Sequence, residues 1–409
     1  MAKIRVGLLL SEFPAVSETF ILNQITGLIN SGHVVCIYAK FASPNTAQHP
    51  EIKKYGLDDK TNYYTRVPES KKALRIQALM GLCGILFAHP LKTIRLLVHI
   101  FRSRNTLDYV PLLLAIDTIR RDLSVLHCHF GNNGNIGIKV KSFNPSIKLL
   151  TTFHGHDANS YPRKYGKGVY QELFQKGDLF TANTGFTAQQ VQALGCDNRK
   201  IKILPMGIDI SEFPWTQKSL NPGETVVCLT VARLVQKKGH QYAIYAMKKI
   251  VEKHANVCYQ IVGNGPLEDE LRSLVKTLSL EDNVQFMGAL DSSKVKDLYR
   301  KAHLFLFPSI TSDEGDREGQ GLVLQEAQAM GLPIISTYHN GIPEGVLENE
   351  SALLVPEKDI DALAEKLTYL IENPQRWPAM GRTGRAFVEK KYDINQLNQK
   401  LIEIYTELI

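Results

Sequence analysis

Apolar runs of strand length alternate with stretches of helical spacing through the first half of the sequence, and the alternation restarts near residue 225. Lys3–Leu10 reads as a buried strand. Glu18–Asn30 follows with helical spacing at Phe20, Ile21, Ile25 and Leu28, and Gly32 is its stop. His33–Ala39, Val125–Phe130, Lys148–Phe153 and Leu179–Ala182 read as further strands. In the second half the strands are Val226–Val231, Cys258–Val262, Val284–Met287, Leu304–Phe307 and Pro333–Ser336, with helices at Gln241–Lys253 and Leu267–Leu278. This pattern predicts an α/β fold of parallel sheets with helices on both faces. A chain of 409 residues also exceeds the roughly 250–300 that one core supports. The stretch 205–223 holds three prolines and two glycines and reads as a linker. The expected domains are therefore 1–204 and 224–390, each doubly wound and Rossmann-like. Residues 391–409 form a terminal helix that packs back on the first domain. Ligands in such folds bind beyond the carboxyl ends of the strands, and a cleft between two such domains is the expected site.

Charge divides the chain the same way. Residues 1–205 carry 26 basic and 13 acidic residues, a net of +13, whereas 206–409 carry 22 and 28, a net of −6. The total of +7 is low for a dedicated nucleic-acid binder, so no nucleic-acid partner is expected. Six cysteines, none at metal-knuckle spacing, read as buried thiols of a reducing compartment. The apolar stretch Val6–Leu10 is too short for a signal peptide, and the longest apolar run, Ala78–Ala88, cannot span a bilayer. The expectation is a cytoplasmic protein. Residues 71–104 stand apart: seven basic residues and no acidic one, interleaved with apolar residues such as Leu79, Phe87, Leu97 and Phe101. That composition suits a peripheral helix on an anionic membrane surface, or equally an insertion packed on the first domain.

Four segments carry chemistry. In Glu318-Gly-Gln-Gly-Leu-Val-Leu-Gln-Glu326, a Gly-rich loop precedes a helix opened by Gly321. Its N–H groups can hold a phosphate, and the two carboxylates can accept bonds from sugar or ribose hydroxyls. Arg233 and Lys238 follow a strand and precede Gly239, where two cations can neutralise a diphosphate. An idle charge just past an apolar strand would be costly, which favours function for Arg233, whereas Lys237 reads as solvated. Ile261-Val-Gly263-Asn-Gly-Pro266 is a tight turn without the third glycine of a dinucleotide fingerprint. Thr152-Phe-His154-Gly-His156-Asp157 follows a strand in the first half, and His127 and His129 form a second His-x-His pair. Together these histidines offer a rival reading as a metal-dependent hydrolase. A non-catalytic nucleotide- or glycan-binding protein is a second rival.

In this order and spacing, with Gly32-His-Val34, Ala329-Met-Gly-Leu-Pro-Ile334 and Asn340-Gly-Ile-Pro-Glu344, the segments resemble the retaining GT-B glycosyltransferases of family 4. The opening Phe13-Pro-Ala-Val-Ser-Glu-Thr-Phe-Ile21 is similar to enzymes of bacterial exopolysaccharide synthesis of the colanic-acid type. The resemblance implies a hexosyltransferase that uses a UDP- or GDP-linked sugar, with no cofactor and no metal. It implies that Arg233 and Lys238 hold the donor diphosphate and that Glu326 binds the ribose. The amides of Leu322 and Val323, after Gly321, would meet the distal phosphate. Gly263, Gly288, Ala289 and Leu290 would lie around the nucleotide. Glu318 would bind the transferred sugar, with His154 beside it at the reacting face. Ser17, Thr19 and His129 would lie on the acceptor or phosphate side, because Ser11-Glu-Phe-Pro-Ala-Val-Ser17 replaces the family's Gly-Gly loop. The implied acceptor is a glycan or a polyprenyl-diphosphate-linked glycan, met at the inner face of the plasma membrane. Asp359-Ile-Asp361, the only Asp-x-Asp, reads as a helix cap.

Overall fold

The computed structural model describes residues 3–15, 18–43, 50–66, 68, 70–102 and 108–409, with Arg102 described by its backbone alone. The chain divides into two compact units. The first is Met1–Asn183, Ala188–Leu204 and Asn395–Ile409, and the second is Thr184–Thr187 and Pro205–Ile394.

The first unit holds a seven-stranded sheet. Its strands are β1 (Arg5–Glu12), β2 (Val34–Phe41), β3 (Thr61–Tyr63), β4 (Val125–His129), β5 (Lys148–Phe153), β6 (Leu179–Ala182) and β7 (Ile201–Ile203). They lie in the order β3-β2-β1-β4-β5-β6-β7, every neighbour parallel. Val6, Leu8, Leu9 and Leu10 of β1 are all buried, because a central parallel strand is covered on both faces. The helix Ile394–Leu408 ends the chain. From Asn395 on it belongs to this unit, burying Leu397, Leu401 and Ile402. Asn398 Nδ2 donates to the Asn23 carbonyl at 3.3 Å. It passes so close to Gly27 that a Cβ there would lie 1.8 Å from Asn398 Nδ2.

The second unit holds a six-stranded sheet: β8 (Val226–Val231), β9 (Val257–Val262), β10 (Val284–Gly288), β11 (Leu304–Phe307), β12 (Ile334–Thr337) and β13 (Ala352–Val355). The order is β10-β9-β8-β11-β12-β13, again all parallel. Both orders step outward in both directions from the first strand, which is the doubly wound pattern. Because the strands are parallel, every loop that follows a strand emerges at one edge of its sheet. The chemistry-bearing segments all follow strands, so each unit collects its own set at one edge.

Residues 71–102 form two helices, Lys71–Leu86 and Pro90–Arg102. Ala78, Leu82, Ile85 and Leu96 on them join the first unit's core. Arg104 lies outside the described residues. Cys36, Cys128, Cys196 and Cys228 are buried and Cys258 is half-buried, but Cys83 is exposed on the outer side of the first of these helices. The expectation of buried thiols fails there, because the segment turns only one side of each helix to the core.

Candidate functional site

In the second unit, β8 ends at Val231 and the chain turns through Arg233 to a fully buried Leu234. A short turn, Gln236–Lys238, then meets Gly239 at φ 68°. A Cβ at Gly239 would lie 1.9 Å from the Pro308 carbonyl oxygen, so only glycine fits where this turn crosses the loop after β11. The crossing sets Lys238 against that loop. Its Nζ donates to Glu318 Oε2 and lies 4.7 Å from the centre of the Phe307 ring. The pair is nearly shut off from water, with the side chains 12% and 14% exposed. Burial would raise the Glu318 carboxyl, but the Lys238 and Lys237 ammonium groups outweigh it and hold the group below its usual range.

Two readings of the basic turn are corrected. Arg233 is exposed, so no burial cost argues for its role. Its guanidinium has no ion-pair partner among the described residues, whereas its carbonyl accepts from His240 Nε2 at 3.0 Å. Lys237 is not solvated: it is turned inward, 3.1 Å from Asp316 Oδ2. The chain leaves the sheet edge at Arg233 and turns back over it, which reverses the exposure expected of the two.

The backbone of Glu318 is clamped by residues beyond β12 and β13. Its N–H donates to His339 Nε2 at 3.0 Å, and its carbonyl accepts from Asn340 Nδ2 at 3.0 Å. Since Nε2 accepts, the proton sits on Nδ1, which donates to Glu357 Oε1 at 2.6 Å. Glu357 also accepts the Thr311 amide at 2.7 Å. Gly321 at φ 73° opens the helix Leu322–Ala329. The amides of Leu322 and Val323 fall in its first turn, where N–H groups have no acceptor within the helix. Glu326, on the same helix, accepts from the Tyr299 hydroxyl at 2.9 Å, and burial raises its pKa. Gly263 at φ 135° donates to the Gly288 carbonyl at 2.9 Å, which joins the two turns expected at the nucleotide. Ala289 is exposed and Leu290 half-buried against the core. Sequence reasoning missed Tyr299, His339 and Glu357. Only His339 had a signal, as the neighbour of the Asn340-Gly-Ile-Pro-Glu344 segment. Asp359 accepts the Ala362 amide at 2.9 Å, which is a cap.

In the first unit, β4 and β5 bring three histidines together. His129 Nδ1 lies 3.1 Å from His154 Nε2, with the rings stacked at 14°. Phe20 and Phe130 pack on His154, their ring centres 4.9 and 4.6 Å from it. Phe130 holds φ 71°, a left-handed conformation rare for a bulky side chain. His154 Nδ1 and His129 Nε2 are buried without a partner among the described residues. Asp157 holds the loop, accepting from the amides of Gly131 and His154 at 2.9 Å and Gly155 at 3.0 Å. His127 is fully committed: Nδ1 to the Tyr405 hydroxyl and Nε2 to Thr152 Oγ1, both at 2.7 Å. His156 is exposed, whereas the other three are buried. The four histidines of the hydrolase reading are thus not assembled round one point, and among the described residues no three His, Cys, Asp or Glu are placed to hold a metal ion. Thr19 opens the helix Thr19–Asn30 and is half-buried. Ser17 lies outside the described residues.

Burial pulls His127 and His154 well below the usual histidine range and His129 down to about 3. A folded pKa below the unfolded value of about 6.5 means the stability is complete above that pH and drains away as pH falls toward 3. Holding one histidine neutral at pH 5 costs about 2 kcal/mol. Between pH 7.5 and pH 5, His129→Gln should therefore lose about 2 kcal/mol less stability than the parent chain, measured by denaturant unfolding. Equal acid sensitivity of the two would contradict neutral burial of His129.

Residues 212–387 match the family described as Glycosyl transferases group 1, and residues 17–212 match Glycosyltransferase Family 4. The chain is 36% identical to the putative colanic acid biosynthesis glycosyltransferase WcaL of Salmonella typhimurium, over 89% of this chain and 90% of that one. It is 30% identical to the amylovoran biosynthesis glycosyltransferase AmsK of Erwinia amylovora, over 97% and 98%. Its fold is similar to that of Anabaena HepE solved in complex with UDP, with a TM-score of 0.75 and 16% identity over 99% and 100% of the two chains.

Proposed function

The chain belongs to the group 1 and family 4 glycosyltransferases, has their GT-B fold of two Rossmann-like domains, and is of the kind that builds exopolysaccharide; from that membership we propose how its residues divide the reaction. The donor is a UDP- or GDP-linked hexose. The acceptor is a glycan or polyprenyl-diphosphate-linked glycan met at the inner face of the plasma membrane. The observation that carries the reading is the gathering of Arg233, Lys238, Glu318 and the Leu322–Val323 amides around one edge of the second sheet.

Arg233 and Lys238 take the diphosphate. Two cations and a helix N-terminus supply the positive charge that a divalent metal supplies elsewhere, so the reaction proceeds without one. Glu318 is the hydroxyl acceptor for the sugar, and its clamped backbone sets its position. Glu326, oriented by Tyr299, takes the ribose hydroxyls. His154 serves the reacting face as a neutral imidazole. The bond from the anomeric carbon to the diphosphate oxygen breaks as the acceptor oxygen approaches from the same face, and the leaving phosphate takes the acceptor proton. Configuration is retained. The protein contributes orientation and charge stabilisation rather than a nucleophile.

Arg233→Ala should weaken nucleotide binding by about 2 kcal/mol, near thirtyfold, through loss of a charge-assisted contact. Because the side chain is exposed and has no ion-pair partner among the described residues, stability should not change. Calorimetric titration of UDP and GDP, with an unfolding curve beside it, checks both. Unchanged affinity for both nucleotides would remove Arg233 from the site.

A further inference from the structure

The helices Lys71–Leu86 and Pro90–Arg102 wear their apolar residues on the outside. Among the described residues eighteen large apolar side chains are exposed, and ten of them lie between Ile76 and Phe101. On the second helix Leu91, Ile94, Val98 and Phe101 recur at helical spacing and are all exposed, while Thr93 and Leu96 on the opposite side are buried. On the first helix Ile76, Leu79 and Met80 form a similar outer stripe that runs toward Cys83. Phe87, between the helices, is 94% exposed. Both helices pack their inner sides on the same core, so the two stripes share the outer surface of the first unit. No helix of the described residues is long and apolar enough to cross a membrane.

The charges narrow what can cover this face. No acidic residue occurs from 71 to 102. Lys71, Lys72 and Arg95 are exposed and have no ion-pair partner among the described residues. Arg75 Nε donates to the Tyr109 hydroxyl at 2.9 Å, and among the described side chains of the two helices only Lys92 meets a carboxylate, Asp122 at 3.3 Å. A second copy of this chain would set the same cations against themselves in a two-fold contact. The surface complementary to this face is apolar in its middle and anionic round it.

We propose that the two helices seat the first unit on an anionic lipid bilayer, with Phe87, Leu91, Ile94 and Val98 in the acyl boundary and Lys71, Lys72 and Arg95 at the headgroups. The sequence suits a peripheral helix on an anionic membrane surface or, equally, an insertion packed on the first domain; the two helices do pack on the first unit, and their outward apolar stripes add shallow insertion to the membrane reading. The proposal rests on the acceptor side of the function above only for its purpose, since an acceptor carried on lipid would be met there.

Vesicle flotation of the full chain is the test. The protein should float with vesicles of phosphatidylcholine and phosphatidylglycerol and much less with phosphatidylcholine alone. The triple variant Phe87→Ser, Leu91→Ser, Val98→Ser changes exposed residues only and should lose flotation at any salt. Lys71→Ala with Lys72→Ala should lower partitioning by roughly fivefold per charge at low salt. The triple variant should keep wild-type hydrolysis of its donor sugar. Loss of that hydrolysis by wild type would strike the enzymatic reading and leave the lipid result standing. Failure of wild type to float with anionic vesicles, flotation unchanged in the triple variant, or a dimer that the triple variant dissociates would overturn the proposal.

Discussion

Lys238→Met should destabilise the second unit by roughly 3 kcal/mol, because it leaves the buried Glu318 carboxylate without its counter-charge. The cost comes from the orphaned partner and not from the pair's own net worth, which is small. Lys238→Met combined with Glu318→Gln should therefore recover most of the loss, since a neutral amide needs no cation. Nucleotide affinity should behave differently. If Lys238 turns to the diphosphate when donor binds, both variants lose that contact, and neither should regain affinity. Denaturant unfolding and calorimetric titration of the same three proteins separate the two effects. Recovery of nucleotide affinity in the double variant would mean that Lys238 serves only to neutralise Glu318.

Glu318→Gln should lower donor turnover by about 10²–10³-fold while nucleotide affinity stays within a few-fold of wild type. The amide keeps the shape and loses the charge. It cannot accept the same bonds from a sugar carrying positive charge at its anomeric carbon, so the loss falls on the transition state rather than on ground-state binding. The substitution also frees Lys238 from its ion pair, which should hold the diphosphate at least as well. His339→Ala acts on the same group at one remove. It leaves the Glu318 amide and Glu357 without their shared partner, and should reduce turnover less than Glu318→Gln does.

The sheets were legible in the sequence because central parallel strands are buried on both faces and read as unbroken apolar runs. Of the strands left unread, β3 and β7 have three residues each, too short for any period to emerge, and β13 is a four-residue strand at the end of its sheet. Residue types at the candidate site stood out because the proposed diphosphate and sugar recognition calls for cations, carboxylates and glycines after strands. Their exposures did not. Arg233 and Lys237 exchanged places because exposure in a turn depends on where the backbone folds back, here over Pro308. The histidine pairs were visible, but the partner that occupies His127 is Tyr405, 278 residues away, and no local pattern points to it. His339 and Tyr299 act from other strands and helices in the same way.

The proposed sugar transfer relies on the second unit's cations and Glu318 and needs no metal. Proton NMR of the purified chain with UDP- and GDP-hexoses, in the presence of a chelator, tests it most directly. The expected result is release of one nucleoside diphosphate and an α-configured product from an α-linked donor, with the rate collapsing in Glu318→Gln. Turnover that stops with chelator, a product of inverted configuration, or equal rates in wild type and Glu318→Gln would contradict it.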